Sequence, residues 1–168
     1  MNQKRIFIGV DPGTRVTGFG IIQVSDRLEV MDYGCIRPPA SKRLTTRYQI
    51  LFEAFCELLE KYRTDALAVE GQYVSRNVQS SLKLGMARGV ITLAASLQQI
   101  PVFEYAPAKA KRAVVGNGRA SKTQVQQMCA KLLRLNALPT PEDASDALAL
   151  AICHAHSTTK GWHHKYQI

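Results

Sequence analysis

Apolar residues recur along this chain first with the alternation or short continuous runs of strands and then with a period near 3.6. Residues 4–10 (KRIFIGV) form a nearly continuous apolar run, as expected of a central strand covered on both faces, and Pro12-Gly13 ends it in a turn. Asp11 is left at the strand's end. Two further strand-like runs, 16–24 and 28–36, are joined by the short Ser25-Asp26-Arg27 link, so the first third reads as an antiparallel meander. Leu44, Tyr48, Leu51, Phe52, Phe55, Leu58, Leu59 and Tyr62 then repeat at three- and four-residue spacing, one face of a long amphipathic helix. The run 65–70 (DALAVE) follows as a short strand. A helical crossover makes it parallel to the first strand, with Glu70 ending near Asp11.

The second half reads as mainly helical. A helix is expected from about 77 to 98, with Asn77 as its N-cap. Its apolar residues do not keep to one side: Val78, Leu82, Gly85, Val90, Leu93 and Leu97 are expected to face the sheet, while Leu84, Ile91 and Ala95 call for a second buried surface. A partner subunit would supply one, and the Gly85-x-x-x-Gly89 spacing would permit close packing there. Residues 101–105 (PVFEY) read as a last strand, and 107–115 as a short helix beginning at Pro107 and broken by Gly116-Asn117-Gly118. Ser121-Lys122-Thr123-Gln124 fits a capping box opening a helix to about 134. A final helix starts at Thr140-Pro141, with Ala144, Ala147, Leu148, Ala151, Ile152 and Ala155 on its core side. One α/β domain is expected over residues 1–156, followed by a polar, mobile tail over 157–168.

Charge changes this picture because of where it lies. The net charge of +9 is carried entirely between Gly71 and Pro141, where ten basic residues face one acid, Glu104. Such a concentration predicts a polyanion footprint, in which each phosphate contact releases counterions. Cys35, Cys56, Cys129 and Cys153 include no CxxC pair and read as reduced, packed thiols; Cys153-His154-Ala155-His156 reads as ordinary helix rather than a metal site. With no uncharged apolar run long enough to cross a bilayer and no signal-peptide pattern, the expectation is a soluble, cytoplasmic protein with no membrane partner.

Four acids stand in telling places: Asp11 and Glu70 at strand ends, where open α/β sheets bind ligands, and Asp143 and Asp146 near the start of the final helix. A three-residue step in a helix turns a side chain by about 300°, so the last two share a face. Taken singly each has a bland reading: a turn residue at Asp11, a surface strand end at Glu70, a helix-dipole partner at Asp143, a solvated helix residue at Asp146. Together they would repel and take up protons unless a hard divalent ion joined them. Two such ions can stabilise both the attacking and departing oxygens of phosphodiester hydrolysis. GxSxG, P-loop, HExxH and zinc-ligand spacings are absent from the sequence.

The residues that carry a resemblance are Gly9-Val10-Asp11-Pro12-Gly13-Thr14 with Thr17-Gly18-Phe19-Gly20, then Val69-Glu70, Leu82-Lys83-Leu84-Gly85, Ala87-Arg88-Gly89, Val115-Gly116 with Gly118, and Asp143-Ala144-Ser145-Asp146-Ala147-Leu148-Ala149. In this order and spacing the chain, from about residue 4 to 156, resembles the RuvC family of bacterial Holliday-junction resolvases. The resemblance implies an RNase H-like fold, with a five-stranded mixed sheet in the order 3-2-1-4-5 flanked by helices. It also implies a homodimer, four-way junction DNA as substrate, and Mg²⁺ dependence, with two ions per subunit and Mn²⁺ as a substitute. The RuvA–RuvB branch-migration complex is the implied partner. On the same basis Asp11, Glu70, Asp143 and Asp146 are the catalytic and metal-binding acids, and Lys111 and Lys122 are basic positions near the cleaved strand. Tyr73 stands where relatives, commonly with phenylalanine, stack an aromatic on a junction base; Ser145 replaces a frequent alanine; and Arg76, Asn77 and Lys83 are expected at backbone phosphates. The competing readings are a nuclease acting on structured RNA, an actin-like or sugar-kinase ATPase suggested by Asp11-Pro12-Gly13-Thr14, and a junction-binding module that never cuts. The ATPase needs two related domains, and this chain has room for one.

Overall fold

The computed structural model describes residues 4–71, 77–161 and 163–168. Three antiparallel strands open the chain: β1 (Arg5–Asp11), β2 (Thr17–Val24) and β3 (Leu28–Ile36). Helix α1 (Leu44–Tyr62) crosses over to β4 (Ala66–Glu70), which lies parallel to β1. Helix α2 (Val78–Leu97) leads to β5 (Val102–Tyr105), parallel to β4, and α3 (Pro107–Val115), α4 (Lys122–Leu132) and α5 (Glu142–Thr159) complete the fold. The sheet order is β3-β2-β1-β4-β5, as the resemblance implied.

The alternation of side chains in the strands decides which face carries what. Phe7, Ile22, Ala66 and Ala68 point into a core built with α3, α4 and α5, whereas Ile8, Val10, Ile21, Leu67 and Val69 point into a second core under α1 and α2. Both faces of β1 and β4 are therefore buried, which is why these strands read as continuous apolar runs. Two-residue periodicity then places Asp11, which continues the Phe7–Gly9 series, and Glu70, which continues the Ala66–Ala68 series, on the face covered by α5.

Local signals set the helix starts. Asn77 accepts a hydrogen bond from the Ser80 amide, and Ser121 and Gln124 form the reciprocal capping box. Pro107 occupies the first turn of α3.

Two expectations are corrected. On α2 the buried side is Ala87, Ile91, Ala94 and Ala95, while Val78, Leu82, Met86, Leu93 and Leu97 are exposed. Small residues let the helix settle against the sheet and α1, and the larger apolar residues are left outside. The Gly85 and Gly89 backbone is open: among the described residues, nothing lies within 4 Å of a Cβ built there. The chain's end is also not the loose tail expected from 157. Helix α5 runs on to Thr159, the Tyr166 ring lies 5.0 Å from that of Tyr105, and the Ile168 amide donates to the Val102 carbonyl at 3.0 Å. β5 is an edge strand with unpaired backbone groups, and the terminal residues cover it.

Candidate active site

Asp11 and Glu70 come together because β1 and β4 run parallel in register. Val10 pairs with Val69, so the next residues of both strands end side by side, and their carboxyl groups act directly on each other's ionisation. The other two acids are delivered by α5, whose first turns lie over β1 and β2.

Glycines make that approach possible. Gly9 pairs with Gly20 and Asp11 with Gly18 across β1 and β2. A Cβ on Gly9 would stand 1.9 Å from the Ala147 carbonyl oxygen, one on Gly20 2.7 Å from the Leu148 side chain, and one on Gly18 2.1 Å from the Asp143 carbonyl oxygen. The helix backbone thus rests directly on bare strand backbone. This trough seats Asp143 above the residue paired with Asp11.

The electrostatics record the convergence. Burial, followed by the negative charges of Glu70, Asp146 and Asp143, pushes Asp11 up to about 8. Glu70 is raised by burial and by Asp146, with Lys122 and Lys111 opposing. Asp146 is raised chiefly by burial, against the pull of Lys122. Lys122 stands 3.1 Å from a Glu142 oxygen and 3.6 Å from an Asp146 oxygen, and its own proton is held more tightly through the Glu142 hydrogen bond. Lys122 thus stands beside the carboxylate cluster, and the positive charge of Lys111 acts on Glu70.

Among the described residues, no three acidic, histidine or cysteine side chains close into a ready-made cation cage. Burial first, and then the charges of Glu70, Asp146 and Asp143, raise the affinity of Asp11 for a proton, so the four carboxylates are close enough to oppose one another's ionisation. An all-oxygen, under-compensated donor set of this kind fits a hard divalent cation, which replaces the proton. Glu104, the one acid of the basic segment, is tied to Arg88 and does not join the cluster.

The remaining expected contacts divide. Asn77 serves as the cap of α2, and Lys83 is exposed near the start of that helix. Tyr73 and Arg76 lie outside the described residues. Cys153 and His154 are buried and structural: the Tyr105 hydroxyl and His154 Nδ1 are 2.8 Å apart, and His156 Nδ1 sits 3.1 Å from the Ala113 carbonyl oxygen. Two residues at the site were not singled out from the sequence. Glu142 holds Lys122, a role readable only once α4 and α5 are packed. Cys35 pairs with Gly18 and its thiol is raised by burial and by Asp143; from the sequence it read only as a reduced, packed thiol.

Comparison with known proteins agrees with this construction. The family described as crossover junction endodeoxyribonuclease RuvC matches residues 7–154. The RuvC of Protochlamydia amoebophila is 56% identical over 156 residues, covering 92% of this chain and 93% of the relative. That of Chlamydia felis is 52% identical over 161 residues, covering 92% and 95%. Among solved structures, Thermus thermophilus RuvC in complex with Holliday junction substrate superposes with a TM-score of 0.88 at 26% identity, over 98% of this chain and 99% of that one. A yeast mitochondrial Holliday junction resolvase, at 11% identity and a TM-score of 0.67 over 95% of this chain and 82% of that one, shares the fold. From the strand-end carboxylates, the glycine trough and these similarities together, the chain belongs to the RuvC family of crossover junction endodeoxyribonucleases.

Proposed function

We propose that this protein is a metal-dependent endonuclease that resolves four-way DNA junctions by paired phosphodiester hydrolysis during recombination and repair. The observation that carries this reading is the carboxylate cluster itself: Asp11 is raised to about 8 by burial and by three acids drawn from β4 and α5, with Lys111 and Lys122 at its edge. Asp11, Glu70, Asp143 and Asp146 are the groups that would hold Mg²⁺, two ions for each subunit, with Mn²⁺ able to replace it. Held by these residues, the metal would supply Lewis-acid activation of a water and charge stabilisation at the departing 3′ oxygen.

The side chains of this chain do the rest. Asp11 and Glu70, fixed on neighbouring strands, define one wall of the site; Asp143 and Asp146, one helical turn apart, define the other. These carboxylates act as ligands rather than nucleophiles. Lys122, anchored by Glu142, and Lys111 face the scissile strand and offset phosphate charge. The basic surface between residues 71 and 141 draws the polyanion in, and Glu104 subtracts little from it because Arg88 already pairs with it. Tyr73 is assigned to stacking on a junction base, with Arg76, Asn77 and Lys83 near backbone phosphates.

The exposed stripe Val78, Leu82, Met86, Leu93 and Leu97 supports a homodimer through α2, since each of these residues is more than half exposed and water is a poor neighbour for so long an apolar row. Two-fold symmetry of such a dimer would match the approximate two-fold symmetry of a four-way junction. No described helix is long and apolar enough to cross a membrane, and a cytoplasmic enzyme receiving junctions from the RuvA–RuvB branch-migration complex fits the family resemblance.

The test is a labelled mobile four-way junction incubated with the purified protein in Mg²⁺ and in chelator. Symmetrical nicks with metal and none without are expected. Asp11→Asn and Asp146→Asn should bind the junction and leave it intact; either variant nicking at the wild-type rate would falsify the assignment.

A further inference from the structure

We propose that Arg47, together with Arg15 and Lys83, forms a built seat for one backbone phosphate of the bound DNA, separate from the carboxylate cluster; this rests on the nuclease reading above and deepens it. The seat is a pocket of about 490 Å³ lined by Thr14, Arg15, Leu44, Arg47, Ser80, Lys83 and Leu84. Three elements meet there: the turn that follows Asp11, the first turn of α1 and the first two turns of α2. The Tyr48 hydroxyl donates to the Lys83 carbonyl oxygen at 3.0 Å and ties the two helices together beside it.

The chemistry of this pocket is one-sided. Its charged lining is cationic only, and among the described residues no carboxylate lies within ion-pair distance of Arg15, Arg47 or Lys83. Arg47 is the unusual member: its Nε and one Nη are shut off from solvent and have no hydrogen-bond partner among the described residues. A guanidinium has donors and no acceptor, and withdrawing it from water without an anion costs free energy that the fold has left uncompensated. Arg15 and Lys83 beside it add repulsion. The side-chain hydroxyls of Thr14 and Ser80 complete a set able to donate to anionic oxygens.

A phosphodiester supplies what is missing. It brings one negative charge, acceptor oxygens for the cations that line the pocket, and no acid–base demand on it. Because Arg47 is already under-solvated, it gains more from that anion than a water-covered surface cation would. The seat also includes the turn that follows Asp11, so a strand held there is positioned relative to the cleavage centre by that short connection.

The experiment follows binding of a synthetic four-way junction in chelator, by fluorescence anisotropy, across a salt series. Each seated phosphate contributes a slope of about 0.9 in log affinity against log salt. Arg47→Ala and Arg15→Ala are each expected to reduce the slope by about one and to weaken binding about ten-fold or more. Arg47→Lys should keep the slope while recovering only part of the affinity, since an ammonium lacks the guanidinium's planar set of donors. In a second arm, single internucleotide linkages near the crossover are replaced by neutral methylphosphonates. At one linkage the replacement should weaken the wild type and have no further effect on Arg47→Ala. Folded variants that retain the wild-type slope and affinity, or methylphosphonate effects that add in full to Arg47→Ala at every linkage, overturn the seat. If melting shows Arg47→Ala to be unfolded, Arg15→Ala, on the exposed rim, decides the question. Wild-type protein that nicks the junction while both alanine variants bind normally removes the seat alone; wild type that neither binds nor nicks removes the nuclease reading and the seat with it.

Discussion

The glycine trough under α5 offers a direct way to test whether the carboxylates act as one unit. In Gly18→Ala the new methyl would begin 2.1 Å from the Asp143 carbonyl oxygen and 2.4 Å from its carbon. An ordinary contact is about 3.4 Å, so the helix start must move off the sheet by about 1.3 Å or the strand must sink by as much. Overpacking of this kind costs about 1–3 kcal/mol, which a domain of this size can survive. A displacement near 1 Å at a reacting centre costs on the order of a hundredfold in rate. Single-turnover cleavage of a four-way junction in Mg²⁺ should therefore fall about a hundredfold, while junction binding in chelator stays close to normal. Gly34→Ala is the control: its Cβ would meet only the edge of the Phe19 ring at 3.3 Å, and a ring can shift. That variant should fold and cut like the wild type. Were Gly18→Ala to fold and cleave at the wild-type rate, the claim that the trough sets the position of Asp143 over Asp11 would be wrong.

Other outcomes follow from the same structure. Asp11, raised from 3.8 to about 8, favours the folded state when protonated; its contribution is complete below about pH 4 and is lost as pH rises toward 8. Thermal melts in chelator should show this loss, amounting to a few kcal/mol at most, and Asp11→Asn should flatten the profile; an unchanged profile in that variant would place the pH dependence elsewhere. Mg²⁺ should accordingly raise the melting temperature more at pH 8 than at pH 5, and equal shifts at both would argue against linkage between metal and proton. Leu93→Glu, which sets a charge in the exposed stripe of α2, should convert a dimer into a monomer by sedimentation, and a wild type already monomeric at working concentrations would dispose of the dimer. Tyr105→Phe removes the hydroxyl 2.8 Å from buried His154 Nδ1 and should cost about 1–2 kcal/mol in urea denaturation with junction cleavage intact; a variant as stable as wild type would show that this pairing contributes little.

Much of this was legible from order and period alone. The change from strand to helix periodicity located the strands and the first four helices to within about two residues, because burial on both faces of β1 and β4 leaves continuous apolar runs and one-sided burial of α1 leaves a stripe. Asn77 and the Ser121–Gln124 box were readable because caps are local chemistry. The acids could be named before folding because strand ends and a three-residue helical step are short-range geometry. What packs against a helix is not local. On α2 the eye follows the large residues, yet the sheet took Ala87, Ile91, Ala94 and Ala95, since close approach favours small side chains when a larger apolar row can be left outside. The chain's end likewise looked polar and loose until β5 was seen to need an edge partner.

The sequence by itself determined which groups can do chemistry here, since four acids and a basic segment are properties of residue type and position. Only the tertiary structure decided that they act on one another. Gly9, Gly18 and Gly20 are scattered punctuation in one dimension, and become a trough when β1 and β2 pair. Arg47 is one more cation in a helix until α2 and the turn after Asp11 pack beside it and two of its nitrogens lose contact with water. Charge repulsion, desolvation and steric fit fall off over a few ångströms, and distances that short between residues far apart in the chain exist only after folding.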